Sequence, residues 1–242
     1  MKPPKKTVPL EPPPSCESSI PGPAPAPASS FDPPISFSTV IEDDHRTINS
    51  YAARLKKART SQDRARLLGE VTWRMVRHDI SEELIMRPAL IAHLGLTGQQ
   101  MAEHDRLDHE RARTELMALF NLGVDEPDFL PKVNALMAEL HEHMRTESGE
   151  QIPALERMLG PSESQRLGRE YIRTFALTPE LETLDPAIGL RRRVWATVEE
   201  YTCMDSAGFR VVWESLTEEQ VCSAMSEYYG SRSGPGRGKG KL

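Results

Sequence analysis

Four segments of the chain each set a single histidine on an otherwise apolar helical stripe, at His45, His78, His109 and His143, and two of them add a glutamate one turn later, Glu82 and Glu147. Read in core-facing steps of three and four residues, the second segment gives Leu68, Val71, Met75, His78, Glu82, Ile85 and Ala89. The fourth gives Val133, Leu136, Leu140, His143, Glu147, Glu150 and Ala154. The first runs Ile41, His45, Ile48, Leu55, and the third Ala102, Asp105, His109, Ala112, Leu116, Leu119. Each face that should be buried is thus interrupted near its middle by ionisable groups. Left without partners in a dry core, such groups cost several kcal/mol each. Six scattered ones would use up roughly the 5–15 kcal/mol that holds a typical domain together. For one histidine, a hydrogen-bonded core residue is the ordinary reading. For six groups in phase, the reading is a shared metal site.

Successive histidines are 33, 31 and 34 residues apart, about one helix and one short joint. An up-down-up-down arrangement then brings all four to a similar height. The predicted fold is all-α, a four-helix bundle over residues 36–160, with a Pro-rich disordered leader at 1–35, a helical extension at 161–230 and a disordered basic tail at 231–242. The first helix is expected to start near Ser36 to Thr39 with Ser38 as N-cap and to fade around Ala58 to Ser61. Ser61 opens the second, which Pro88 should disturb, and AHLGLTGQQ reads as a connector with His93 on the surface. The third helix covers roughly Thr97 to Asn121 with Gly123 as C-cap, and the fourth about Pro131 to Leu159. In the extension, Ser162 to Phe175, Ala187 to Met204 and Thr217 to Tyr229 read as helical, the last opening on the capping box Thr217-Glu-Glu-Gln. Whether these helices cross the bundle, close one end of it or self-associate is left open by the sequence.

The formal charge of -6 gives no global reason to bind nucleic acid or an anionic membrane. Arg232, Arg237, Lys239 and Lys241 make only a small basic tail. Three cysteines, Cys16, Cys203 and Cys222, form no CxxC pair, against a disulfide framework or zinc knuckle. No run approaches the ~20 apolar residues of a membrane helix, and no apolar core of a signal peptide follows the basic opening. The expected setting is cytoplasmic and soluble.

His78-Asp-Ile-Ser-Glu82 and His143-Met-Arg-Thr-Glu147 repeat one another, each with a proline ten residues after its histidine, Pro88 and Pro153. Together with Asp44-His45-Arg46 and His109, these motifs make the stretch from Phe37 to Leu159 resemble the hemerythrin-like domain, the HHE cation-binding family. The resemblance implies a bundle holding two iron ions in an Fe-O-Fe unit, with dioxygen, nitric oxide or peroxide as ligand. It implies His45, His78, His109 and His143 as terminal ligands and Glu82 and Glu147 as bridges. The oxygen-carrying hemerythrins place a second histidine one turn from the first on the third helix. Here the in-phase positions are Asp105 and Arg113, which argues against reversible oxygen transport and offers Asp105 as an oxygen ligand or the anchor of a bound water. Glu83 and Glu150 are candidates for an additional ligand or for orienting ligand imidazoles, against the ordinary reading of a solvated acid beside a stripe, and His104 and His141, off the stripes, are expected at the surface or rim. Three functions follow from this reading. One is a di-iron sensor, store or scavenger of a small oxidant, and another a di-iron oxidoreductase acting on an organic substrate beneath the C-terminal helices. The third is an interaction module stabilised by iron. Oligomeric state is not readable.

Overall fold

Ile35 and Phe37 are both buried, and this sets where the first helix begins. α1 (Phe37–Lys57) is capped by Ser36, whose hydroxyl accepts the Thr39 N–H at 3.2 Å. Ser38, the expected cap, instead gives its own N–H to Glu156 at 2.8 Å. The structure, a computed structural model, describes residues 35–177 and 198–233. The Pro-rich leader up to residue 34, the front of the helix expected over 187–204 and the tail beyond Ser233 lie outside the described residues.

α2 (Ser61–Ser81) starts behind Thr60, which accepts the Asp63 N–H at 3.0 Å. The disturbance expected at Pro88 is present, and it does not end the rod. A single widened π turn, Glu82–Met86, closes with the Arg87 N–H on the Glu82 carbonyl, and α3 (Arg87–Leu122) follows with Pro88 in its first turn. The fourth rod repeats the device. α4 (Phe129–Thr146) runs into a π turn over Glu147–Gln151, closed by the Ile152 N–H on the Glu147 carbonyl, and then α5 (Ile152–Met158) with Pro153 in its first turn. A proline inside an α-helix loses an i→i−4 bond and drives its ring into a carbonyl. One extra residue in the turn shifts that register and carries the ring past. Both wide turns begin at the glutamate of a His-x3-Glu motif.

The connector expected around AHLGLTGQQ is also tighter than foreseen. The chain stays helical on both sides of Gly95, which alone leaves helical geometry at φ 58°, ψ −129°. Three residues on, a Cβ at Gly98 would lie 1.9 Å from the Leu90 carbonyl oxygen, so only glycine lets the two halves of α3 approach this closely. Gly98→Ala is expected to lower stability by at least about 2 kcal/mol, the scale of a rigid overpacking clash. Gly149→Ala, with nothing within 4 Å of the added carbon, should change it by less than ~0.5 kcal/mol. Urea unfolding of the two variants checks the contrast. Gly123 ends the long helix at φ 90°, as the sequence indicates.

Beyond Gly160, α6 (Pro161–Arg173) and a 3-10 turn (Thr174–Leu177) pack against α1, α2 and α9 (Glu218–Ser233). α7 (Val198–Cys203) and α8 (Ser206–Glu214) lie between them in sequence. The sequence reading missed α8, which Asp205 caps by accepting the Gly208 N–H at 2.8 Å. The Thr217–Gln220 capping box is present, with reciprocal bonds of 2.9 and 3.3 Å. Tyr171, Tyr201 and Phe209 are fully buried in a core continuous with the bundle. Among the described residues, these three aromatic side chains of the extension thus pack on the bundle, with Tyr201 4.6 Å from Trp73 between ring centres. Every regular element among the described residues is helical, and none is long and apolar enough to cross a membrane.

Candidate metal centre

The four stripes turn His45, His78, Glu82, Asp105, His109, His143 and Glu147 into one interior point, each of them buried. They form overlapping groups whose ligand atoms lie within 4.8 Å of one another. One group is His45, His78, Glu82 and Glu147, and another is Asp105, His109, His143, Glu82 and Glu147. The two glutamates belong to both. Glu82 Oε1 lies 3.2 Å from His78 Nε2, while its Oε2 lies 3.0 Å from His109 Nε2. Glu147 Oε2 lies 3.2 Å from His45 Nε2 and 3.4 Å from His143 Nε2. Asp105 Oδ1 is 3.4 Å from His109 Nε2 and 3.5 Å from His143 Nε2. Neighbouring ligands ~2.1 Å from a shared ion and about 90° apart would be separated by ~3.0 Å, close to this spacing.

The donors are also unsatisfied. His45 Nδ1 and Nε2, His78 Nε2, both oxygens of Glu82 and of Glu147, and Asp105 Oδ1 are buried without a hydrogen bond of acceptable geometry. Buried polar atoms rarely go unpaired, so a cluster of them aimed inward fits a cation. Imidazole and carboxylate with no thiolate is a donor set for iron or manganese in a helical bundle.

Outward from the centre, three imidazoles meet a carboxylate at Nδ1. His78 faces Asp44 at 3.3 Å and the Tyr171 hydroxyl at 2.9 Å, His109 faces Asp79 at 3.5 Å, and His143 faces Asp108 at 3.2 Å. Arg87 donates to Asp105, to Asp79 at 2.8 Å and to Glu83 at 2.5 Å, and Arg113 donates to Asp79 at 2.5 Å. Glu83 is therefore a partner of Arg87 and not of an imidazole, and Glu150 is exposed. The orienting positions expected of those two are filled by Asp44, Asp79 and Asp108. His104 and His141 are exposed, as expected, and His93 is half-buried. Trp73 is core, and Tyr51 lies under the Arg74 guanidinium at 3.6 Å.

Burial pushes the Glu82 carboxyl well above its ordinary range, and the Glu147 and Asp105 carboxylates push it further. Burial opposes charge on Asp105 too, but His109, Arg87 and His143 outweigh it and hold that group well below the usual carboxylate range. His78 is driven well down by burial and by the other three histidines. For His109 burial also acts downward, yet Asp105 and Asp79 hold it well up.

The hemerythrin HHE cation-binding domain model matches residues 36–155. A hemerythrin-like protein of Schizosaccharomyces pombe is 30% identical over 143 residues, covering 59% of this chain and 70% of that one. A solved structure of a hemerythrin HHE cation-binding domain-containing protein from Mycobacterium kansasii superposes with a TM-score of 0.51 at 21% identity, over 57% of this chain and 83% of that one. It supports the fold alone. The matched stretch spans every inward-facing donor just described, and the chain belongs to the hemerythrin HHE cation-binding family.

Proposed function

We propose that the centre holds two iron ions, one between each pair of imidazoles, with Glu82 and Glu147 bridging them, and that the protein binds a small oxidant such as dioxygen, nitric oxide or peroxide in sensing, storage or scavenging. The observation that carries this reading is the shared membership of the two glutamates: Glu82 reaches His78 and His109 through its two oxygens, and Glu147 reaches His45 and His143 through one. Asp105 would add an oxygen ligand on the His109 and His143 side. Two adjacent ferrous ions would together supply two electrons, one each, to a bound oxidant. The protein's own groups do the rest. Asp79 and Asp108 hold the outer nitrogens of His109 and His143, and Arg87 keeps Asp79 and Asp105 in place while, against burial, His109 with Arg87 behind it holds both carboxyls below their ordinary range.

Beside His78 and His109 lies a small cavity walled mainly by Ile48, Met75, Val76, Leu116, Leu140 and Met144. Its room is of the order of one water molecule. That favours a diatomic or peroxide ligand over an organic substrate.

Protein produced with ample iron is expected to retain about two equivalents per chain and to absorb in the near-ultraviolet and visible by ligand-to-metal charge transfer. A His143→Ala, Glu147→Ala variant should lose both. Recovery of zinc alone, or of no metal, would contradict the proposal.

A pH dependence follows. In the metal-free protein Glu82 and His109 are both shifted upward, so they carry protons that an ion must displace. Iron uptake is therefore expected to release protons, and apparent affinity to rise as pH climbs above about 6.5, the ordinary imidazole value. Calorimetry in buffers of differing ionisation enthalpy measures the number released; a value of zero would count against this assignment of protons.

A further inference from the structure

The Tyr171 side chain is fully buried, and its hydroxyl makes two contacts, both at the metal centre. It donates its one hydrogen to Asp44 Oδ2 at 3.1 Å, so toward His78 Nδ1, 2.9 Å away, it can only accept. His78 Nδ1 therefore carries the ring proton, and the Nε2 lone pair faces inward, 3.2 Å from Glu82 Oε1. The chain continues outward. Asp44 is paired with Arg77, and the Arg77 guanidinium lies on the Phe175 ring at 3.8 Å. Thr174 bonds the hydroxyl of Ser81, which sits between His78 and Glu82 in sequence, and donates to the Tyr171 carbonyl at 2.5 Å. On the far side of the centre, Arg113, which holds Asp79 against His109, donates to the carbonyls of Thr202 and Met204 at 3.3 and 3.0 Å. Tyr171, Thr174, Phe175, Thr202 and Met204 all lie beyond residue 155, where the family match ends.

From this we infer that the C-terminal helices are part of the metal centre, and that Tyr171 is a positioning residue whose phenol fixes the tautomer and ring orientation of His78. The inference rests on the metal reading above. A metal-bound imidazole is held by whatever accepts its other N–H, and loss of that acceptor typically costs roughly 10- to 100-fold in metal affinity. Here the nearer acceptor, the phenol at 2.9 Å, comes from α6, and the bundle by itself offers only the longer 3.3 Å approach of Asp44, which the phenol also holds by donating to it.

The test uses the full chain. Tyr171→Phe keeps the ring in the core and removes only the hydroxyl. It is expected to weaken ferrous iron binding, read by chelator competition, by 10- to 100-fold. Thr174→Val breaks the neighbouring bond to Ser81 without touching the phenol, and its affinity should stay within about threefold of the parent. Equal losses in the two variants would mean that Tyr171 only helps α6 dock, which overturns the inference, as would unchanged affinity in Tyr171→Phe. A second readout needs neither variant nor metal. Long-range nitrogen–proton NMR of the metal-free chain should show His78 as the Nδ1–H tautomer, and the Nε2–H tautomer would overturn the inference by itself. If the parent chain binds no iron, the metal reading fails and the role of Tyr171 in it fails too; an iron-binding parent with an unaffected Tyr171→Phe removes only the role of the phenol.

Discussion

Converting Glu82 and Glu147 together to glutamine is expected to cost more than 100-fold in iron affinity while leaving the metal-free protein more stable than the parent. The first effect follows from their place in both donor groups, since one double substitution strips oxygen from both ions. The second follows from electrostatics. Glu82 is buried beside Glu147 and Asp105, and its carboxyl is raised well above 4.5. A carboxyl raised in the folded state binds more protons there than in the unfolded chain, so it lowers stability as pH climbs above about 4.5. Replacing the carboxyl by an amide removes this penalty, so the metal-free variant should be the more stable of the two at neutral pH. It should also flatten the decline in stability that sets in as pH climbs above about 4.5. Urea unfolding of the two metal-free proteins at about pH 4.5 and at neutral pH measures this. A destabilised variant would mean that these carboxylates serve the fold and not a ligand.

Arg87→Ala should have the opposite character, a heavy loss of stability with or without metal. Arg87 is buried and reaches Asp105, Asp79 and Glu83. Truncation leaves the buried Asp105 and Asp79 short of their counter-charge, and breaking such a pair costs about 3–5 kcal/mol. Arg113 still supports Asp79 from the other side, so the loss should be larger in Asp79→Asn, Arg87→Ala than in Asp79→Asn alone by less than the full single-variant cost. Chemical denaturation of the metal-free chains provides the comparison, and a loss under ~1 kcal/mol for Arg87→Ala would refute the network's importance.

The inward donors could be read from the sequence because they contradict their own stripes. A histidine in step with Val71 and Met75, or a glutamate in step with Leu140, faces the core wherever the helices dock. The supporting shell obeys no such rule. Asp44 and Asp79 each adjoin a histidine in sequence, but consecutive residues are about 100° apart on a helix. Asp79 therefore serves His109 on another rod, and Asp44 serves His78. Those pairings depend on how the helices dock, which periodicity does not contain. Glu83 and Glu150 adjoin or follow the ligands closely in sequence, yet Glu83 pairs with Arg87 and Glu150 is exposed, for the same reason. Pro88 and Pro153 were legible as irregularities, yet a proline does not say whether a helix ends or widens by one residue. Tyr171 looks in sequence like any aromatic core residue. Only its hydroxyl, 2.9 Å from His78, sets it apart.

Anomalous diffraction at the iron absorption edge, from crystals of the full chain grown with ferrous iron, tests the central claim most directly. The account requires two adjacent peaks, one near His45 and His78 and the other near His109 and His143, with Glu82 and Glu147 touching both. No peak among these residues, or iron bound only at the exposed His104 or His141, would contradict it.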